Sequence, residues 1–491
     1  DIMRAVILAG GEGSRLRPLT CDLPKPLVRL CGRPAMDYIL DLLGNAGVTQ
    51  ACVTLRYLAE EIQQYYQDGK YKNIELEFIV EDKPLGTAGG VRNAAADFND
   101  DFIVISGDAL CDFELSAAMA FHKEKQAIAT ILVKQVDDPR EYGLVDIDQD
   151  GKVRGFIEKP GWSQAFADTA NTGIYILSRR CLDFIPRDKA SDFAKDIFPQ
   201  ILEQGGLYAF TGKGYWCDIG DLTSYMSSQY DMLKGRVDYG LTGLRNDGIF
   251  FRDAVPMGQY TLRSPVYIGE GVQIGNGAVI GPDVILDDGV TVGPGARIVS
   301  SVMLQDSYLG ENAQLTGALV CRGGVVKKGS SLFEGSVLGF NSVIGENTVV
   351  GPGVLIWPEK QVASGLSVRE NIKIGKGPQI TLEEDGIRGE AGGDMTPDQA
   401  VRLGAALSGA VKGAAIGIAS DGSNMAEALK NAFSAGVLGA GGTENALIQK
   451  ALDGDGPAFE RLMEPHLKVI YNYIRIHVSS DEDIKDILQE S

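Results

Sequence analysis

"LAGGEGSRLRPLT", residues 8–20, follows the apolar run "RAVI" at 4–7, almost at the start of the chain. Glycines where a buried strand ends free backbone N–H groups to approach an anion. Rossmann and P-loop readings are both open to such a loop, and so is a plain turn. A Rossmann fingerprint needs a third glycine where Leu16 stands, and a P-loop needs a Lys after its last glycine, so neither pattern is complete. The continuation is what distinguishes the loop. Arg15 and Arg17 follow at once, and Lys25 comes next in "PKP", between prolines that stiffen its turn. Guanidinium groups grip phosphate oxygens in a fork and an ammonium adds a point charge. Gly10, Gly11 and Gly13 with Arg15 and Lys25 therefore suit a triphosphate whose departing end gains charge.

Outward from the loop, the alternation continues to about residue 240. "AVILA", "ACVTL", "LEFIV", "FIVIS" and "IATILV" read as buried strands, and "AMDYILDLLGNAG" and "AGGVRNAAADF" read as helices between them. That order predicts a parallel α/β sheet over residues 1–240. Residues 241–263 read as a linker. From Ser264 the period changes to six: Ile268, Ile274, Ile280, Leu286, Val292 and Ile298, then Leu338, Ile344, Val350 and Ile356. Gly follows at 269, 275, 281, 293, 339, 345 and 351, which explains much of the chain's 62 glycines. Six is the repeat of a β-solenoid, whose coils bury their apolar side only by stacking. The solenoid is expected over 264–373, a polar connector over 374–384, a short segment over 385–442, and a helical tail over 443–491.

Composition sets limits. A chain of 491 residues is too long for one core. Its net charge of −20 argues against nucleic acid or an anionic membrane as the main partner. An acidic protein that handles phosphate must concentrate its cations or recruit a metal. Seven scattered cysteines without CxxC spacing fit a reducing compartment. Three histidines argue against histidine-based metal or triad chemistry. Neither a signal-peptide pattern nor an apolar stretch of membrane-spanning length is seen, which gives a cytoplasmic expectation.

Taken with "EDKPLGTAGG" (81–90), "ISGDALCD" (105–112), "FIEKP" (156–160), "ANTGIYIL" (170–177) and "GYWCDIGDLTSY" (214–225), the opening loop resembles the sugar-1-phosphate nucleotidyltransferases, and among them the bacterial mannose-1-phosphate guanylyltransferases. Six motifs in family order carry the resemblance over about residues 3–373. It implies a Rossmann-like nucleotidyltransferase domain followed by a left-handed parallel β-helix. It further implies attack of a sugar-1-phosphate oxygen on the α-phosphorus of a nucleoside triphosphate, with pyrophosphate leaving and Mg²⁺ as cofactor. In that scheme Arg15, Lys25 and Asp108 are catalytic, and Asp108 and Asp218 hold the metal, with Asp112 nearby in support. Leu8, Ala9, Gly10, Gly11, Gly13, Glu81, Gly86 and Thr87 meet the nucleotide. Gly143, Glu158, Lys159, Asn171 and Thr172 meet the sugar phosphate. Expected partners are GTP or another nucleoside triphosphate, a sugar 1-phosphate, and a second copy of the chain through the solenoid. The rival expectations are a UTP- or dTTP-dependent enzyme acting on heptose or glucose 1-phosphate, and a non-catalytic regulatory subunit of the same family.

The base can be argued chemically. Relatives that use thymidylyl or uridylyl groups usually carry Gln at the position of Glu81. Thymine and uracil pair a donor with an acceptor, as an amide does. Guanine offers two adjacent donors, which an ionised carboxylate accepts together. Glu81 therefore favours guanine. "GIRGEAGGDMTPDQAVRLGAAL" (386–407) resembles the first domain of phosphohexomutases, but the phosphoserine and metal loops of that family are absent, so no mutase activity is expected. Residues 443–491 resemble the start of the first helical domain of extracytoplasmic-function sigma factors. They carry twice as many acidic as basic residues, which suits a surface helical hairpin better than a DNA-binding role.

Overall fold

The computed structural model describes residues 3–136, 142–158, 168–187, 189–239, 241, 243–373, 381–383, 386–388, 397–410, 418 and 424–439. In the first domain the strands are β1 (Met3–Leu8), β2 (Arg29–Leu30), β3 (Arg33–Pro34), β4 (Val48–Leu55), β5 (Lys70–Tyr71), β6 (Ile74–Val80), β7 (Phe102–Ser106), β8 (Ala109–Cys111), β9 (Ala129–Gln135), β10 (Gly143–Ile147), β11 (Val153–Glu158), β12 (Thr169–Leu177), β13 (Leu207–Thr211) and β14 (Trp216–Asp218). Helices α1 (Ala35–Asn45), α2 (Ala59–Tyr65), α3 (Gly86–Ala94), α4 (Leu115–Lys125), α5 (Phe198–Glu203) and α6 (Leu222–Leu233) separate them.

The main sheet runs β11-β10-β12-β7-β1-β4-β6-β5, with β9 on β12 and β13 on β9. Strands β7, β1, β4 and β6 are parallel, as expected. The other flank corrects the all-parallel expectation: β12 runs antiparallel to β7 and β9, and β10 is antiparallel to both neighbours. A continuous apolar run reports a strand buried on both faces, not its direction. Apolar layers cover both faces of the sheet. Ile7, Met36, Ile39, Val53 and Ile105 lie in one, and Val6, Val91, Val104, Phe193 and Phe198 in the other.

Beyond α6 the chain winds into three sheets of short strands, parallel except where Leu244–Asn246 runs antiparallel to Ile249–Phe251. All ten hexad residues named from sequence point inward into one core. The stretch 241–263 is not a bare linker. Ile249–Phe251 pairs with Val266–Ile268, and Thr261–Leu262 pairs with Val279–Ile280, so the winding begins before the hexads become regular. The lapse of the repeat between 299 and 337 also has a cause. Ile268 pairs with Leu286, but Leu286 pairs with Met303 and Met303 with Val320, so those two coils are each one residue short. The shortened corners lie at Ser300 and Gly317, both in the left-handed backbone region. The Ser301 hydroxyl bridges them, donating to the Val299 carbonyl and accepting from the Ala318 N–H.

One outer face of the solenoid is apolar for a reason. Tyr267, Ile285, Val302, Leu319 and Val337 are buried against Leu16, Leu19, Leu30, Tyr38, Ile219 and Tyr225 of the first domain. Further on, α7 (Pro397–Ala410) and α8 (Asn424–Gly439) pack as a pair around Ala400, Leu429, Phe433 and Val437. The helical reading of 443–491 lies outside the described residues. All seven cysteines are free thiols, and among the described residues no helix is long and apolar enough to cross a membrane.

Candidate active site

The charged residues of the opening motifs gather at the carboxyl ends of the parallel strands, where open α/β sheets bind ligands. The glycine loop leaves β1 at Leu8, and the pair Ala9 and Gly10 runs beside β4, with the Ala9 N–H donating to the Thr54 carbonyl at 3.0 Å. Gly13 adopts φ +60° and begins the single turn Ser14–Leu16 that carries Arg15. The Thr20 hydroxyl donates to the Gly13 carbonyl at 2.7 Å and closes the loop on itself. Lys25 opens a second short turn and is buried. Gly11 has open space around it.

From the far side of β1, β7 delivers Asp108 through a tight turn. Its backbone is fixed by the Gly107 N–H on the Leu8 carbonyl at 2.8 Å. Asp218 arrives on β14, which pairs with β8 and sets Asp218 opposite Ala109. The Lys25 ammonium donates to Asp108 Oδ2 and lies 3.7 Å from Asp218 Oδ1. The Arg15 guanidinium flanks Asp218 at Gly220. Sequence motifs about 200 residues apart thus converge on one spot.

The cluster sets two carboxylates against one buried ammonium and a flanking guanidinium. Desolvation and the Asp108 charge push the Asp218 carboxyl above its ordinary range, while Lys25 and Arg15 pull it down. The two carboxylates stand here with the Lys25 ammonium and the Arg15 guanidinium, and their oxygens are the donors that a hard cation would use. Hard oxygen donors with room for water suit Mg²⁺, so these residues fit the expected metal. Among the described residues no third His, Cys, Asp or Glu joins them. Asp112, by contrast, accepts from the Tyr215 and Asp238 N–H groups at 2.5 and 2.7 Å and braces the fold beside the site.

Two neighbours were not foreseen. The Ser106 hydroxyl donates to Asp108 Oδ1 and holds the carboxylate from behind. Arg56 follows the last residue of β4, lies against Gly10, and pairs with Glu12 at 3.0 Å. The signal for Arg56 was its place directly after a buried strand; a serine at a strand end carries none.

Glu81 directly follows β6, on the same rim. Burial pushes its carboxyl upward, opposed by the Leu85 N–H and by Arg56. Its Oε1 fills the space that a side chain at Gly90 would need, 2.5 Å from an added Cβ. Gly86 has φ +73°, and a Cβ there would lie 2.4 Å from the Ser191 carbonyl oxygen. That carbonyl accepts from the Ala88 and Gly89 N–H groups, so it already caps α3. The Thr87 hydroxyl donates to Asp192 at 2.8 Å and accepts from the Phe193 N–H at 3.1 Å. Gly86 and Thr87 therefore fasten α3 to the 189–193 loop. Gly86→Ala is expected to lower unfolding free energy by about 1–3 kcal/mol, read by chemical denaturation, because the new side chain meets both a disfavoured φ and a backbone oxygen.

The residues expected to meet the sugar phosphate occupy adjacent strands. Gly143 on β10 pairs with Glu158 on β11, and the next residue, Leu144, pairs with Ala170 on β12. Gly143 and Asn171 line one crevice with Phe156 and Ala194. Asn171 accepts from the Gly173 N–H at 3.0 Å and donates to the Tyr175 hydroxyl at 3.2 Å, which holds a bulge in β12. Thr172 is buried and donates to the Leu132 carbonyl at 2.7 Å, so its hydroxyl is committed to the sheet. Only the backbone of Glu158 is described, and Lys159 lies outside the described residues.

Comparison with known proteins accords with this geometry. Residues 4–235 match the nucleotidyl transferase family, 262–374 the GMPPB C-terminal domain, and 379–448 the alpha/beta/alpha domain I of phosphoglucomutase/phosphomannomutase. The last match reaches into the stretch read as a sigma-like tail. A UTP--glucose-1-phosphate uridylyltransferase of Synechocystis sp. is 35% identical over 292 residues, 54% of this chain and 74% of that protein. A mannose-1-phosphate guanylyltransferase of Mycobacterium tuberculosis is 32% identical over 234 residues, 47% of this chain and 65% of that one. The crystal structure of HddC from Yersinia pseudotuberculosis is 34% identical and covers 47% of this chain and 100% of that chain, with a TM-score of 0.42. The chain belongs to the nucleotidyl transferase family. It spans about three quarters of the Synechocystis relative's length and just under two thirds of the M. tuberculosis one's.

Proposed function

We propose that this protein transfers the guanylyl group of GTP to mannose 1-phosphate, giving GDP-mannose and pyrophosphate. The observation that carries the reading is the convergence of Arg15, Lys25, Asp108 and Asp218 beside a glycine loop. An oxygen of the sugar phosphate forms a bond to the α-phosphorus. The bond from that phosphorus to the bridging oxygen breaks, and pyrophosphate leaves with the electron pair. No covalent intermediate on the protein is needed, so the work is alignment and charge neutralisation. Arg15 and Lys25 bind the β- and γ-phosphates and meet the charge that grows on the leaving group. The loop N–H groups of Gly10, Gly11 and Gly13 hold the same phosphates. Gly143 and Asn171 orient the sugar phosphate from the other flank, and Glu158 and Lys159 are its further expected contacts. Asp108 and Asp218 would hold Mg²⁺, which supplies positive charge to phosphate oxygens.

The relatives differ in the nucleotide their names carry, UTP in one and guanylyl in another. Glu81 favours guanine, since its carboxylate accepts two adjacent donors where an amide would pair with uracil or thymine. Glu81→Gln is expected to lower the preference for GTP over UTP and dTTP by about tenfold or more in kcat/KM, measured by pyrophosphate release with each nucleotide. An unchanged preference would assign base choice to other groups. The Synechocystis similarity supports a second reading, UTP with glucose 1-phosphate, which the same assay separates. The reading includes self-association through the solenoid. Tyr308, Val325 and Val343 stand in register on one outer face, with Tyr308 exposed, and sedimentation velocity would show a dimer or larger species.

A further inference from the structure

The turn that carries Lys25 runs directly into the hairpin β2–β3, and the hairpin is held by the solenoid. Arg29 Nε and Nη2 donate to the two carboxylate oxygens of Asp287 at 2.8 and 2.9 Å, and Nη2 also reaches Asp288 at 2.6 Å. The Asp287 side chain is 1% exposed and that of Arg29 14%. Arg252 bonds Asp288 at 2.8 Å and the Gly32 carbonyl at 3.1 Å, which ties the hairpin's tip to the same coil. From the first domain, the Tyr225 hydroxyl donates to the Arg29 carbonyl, the Tyr38 hydroxyl to the Leu30 carbonyl, and the Cys31 N–H to Gln229. On the other side the turn is short and closed. The Val28 N–H donates to the Lys25 carbonyl at 3.2 Å, and the Ala35 N–H donates to the Val28 carbonyl at 2.9 Å. A shift of Arg29 has few ways to be absorbed before it reaches Lys25.

A buried Arg–carboxylate fork fixes direction as well as distance, because two parallel bonds define a plane. A pair holding two segments 258 residues apart gains nothing locally from this precision, since apolar packing already covers the interface. What the fork adds is the attitude of the hairpin. We infer that Arg29 is a positioning residue: its fork on Asp287 and Asp288 makes the solenoid the abutment that aims the Lys25 ammonium between Asp108 and Asp218. The solenoid then contributes to turnover without touching substrate. The inference rests on the reading of Lys25 as a phosphate-binding cation.

The test uses the full chain and four proteins: the parent, Arg29→Lys, Lys25→Ala and the double variant, with Arg29→Met as a more severe fifth. Arg29→Lys keeps the charge, loses the fork, and retains a folded interface by circular dichroism. Its kcat with GTP and mannose 1-phosphate, or with whichever pair the parent turns over, is expected to fall about tenfold, because misplacing a catalytic group is costly even from a distance. KM for the sugar phosphate is expected to hold, since β2 and β3 form a sheet of their own, apart from the main sheet that carries β10–β12. In the Lys25→Ala background, Arg29→Lys is expected to cost no further activity, the mark of a residue acting through another. If the two effects multiply, or if folded Arg29→Lys turns over like the parent while Lys25→Ala does not, the inference is overturned. Should Arg29→Met fail to fold, Arg29→Lys still decides. Parental turnover in Lys25→Ala would overturn the reading of Lys25 itself, and this inference with it.

Discussion

Lys25→Ala is expected to lower kcat by about 10²–10³-fold, the usual cost of deleting one fixed group that stabilises developing charge. The reason lies in where the ammonium sits. It is buried, it contacts Asp108, and it stands within 4 Å of Asp218. In the free protein it offsets two carboxylates, and in the proposed reaction it would face phosphate oxygens whose charge rises as the bond from the α-phosphorus to the bridging oxygen breaks. Only the second role raises kcat, because a cation that bound ground and transition states alike would change KM alone. Initial rates of pyrophosphate release, with both substrates saturating, check this. A loss confined to KM would mean that Lys25 binds the triphosphate without assisting its cleavage. The same variant leaves the carboxylate pair without its ammonium. Lys25 is one of the groups holding the Asp218 carboxyl down, so that carboxyl is expected to rise further above its ordinary range.

Asp218→Asn is expected to act in opposite directions on activity and on stability. Turnover is expected to drop by at least about 10²-fold, as the pair loses one of its two charges. The metal-free protein is expected to melt higher. A carboxyl whose folded pKa is raised favours the protonated form in the fold, so its ionisation at neutral pH opposes folding. That penalty grows as pH rises from the ordinary carboxylate range through the raised folded value. Asparagine removes it. The gain in Tm is therefore expected at pH 7 in chelator and should shrink at low pH, where both forms are neutral. Thermal melts of parent and variant across pH, alongside activity, check both signs. A variant that melts lower at pH 7 would mean that Lys25 and Arg15 more than offset the desolvation. Sites that gather like charge to do chemistry commonly give up stability for it.

Much of this was legible in the sequence, and what was not has identifiable physical causes. The glycine loop with Arg15 and Lys25 stood out because phosphate chemistry favours those residue types at a strand end, whereas Asp108 and Asp218 came only from the motif resemblance; the structure brings Lys25 and both aspartates together. Hexads from Ile268 to Ile298 and from Leu338 to Ile356 were legible because each side of a coil buries one inward residue per six. Between them the repeat slipped at Ser300 and Gly317. A one-residue shortening is invisible to a fixed period although the stacking continues through it. Strand direction in β10 and β12 was not encoded, since an apolar strand reads the same either way. Thr87 and Thr172 stood in motifs, yet their hydroxyls are spent on Asp192 and on the Leu132 carbonyl. A motif places a residue near a site without stating which of its atoms faces the ligand. The Arg29–Asp287 pair had no local signal, because its partners meet only once the solenoid has folded back on the first domain.

In the proposed function one cluster of two cations and two carboxylates moves a nucleotidyl group onto a sugar 1-phosphate. Pyrophosphate release with Mg²⁺, measured for GTP, UTP and dTTP against mannose, glucose and heptose 1-phosphates, tests it most directly. The expected result is release that requires both substrates, is greatest with GTP and mannose 1-phosphate, and falls by about 10²-fold or more in Asp108→Asn. No release with any pair, from protein whose fold is intact, would contradict the account and leave a non-catalytic member of the family.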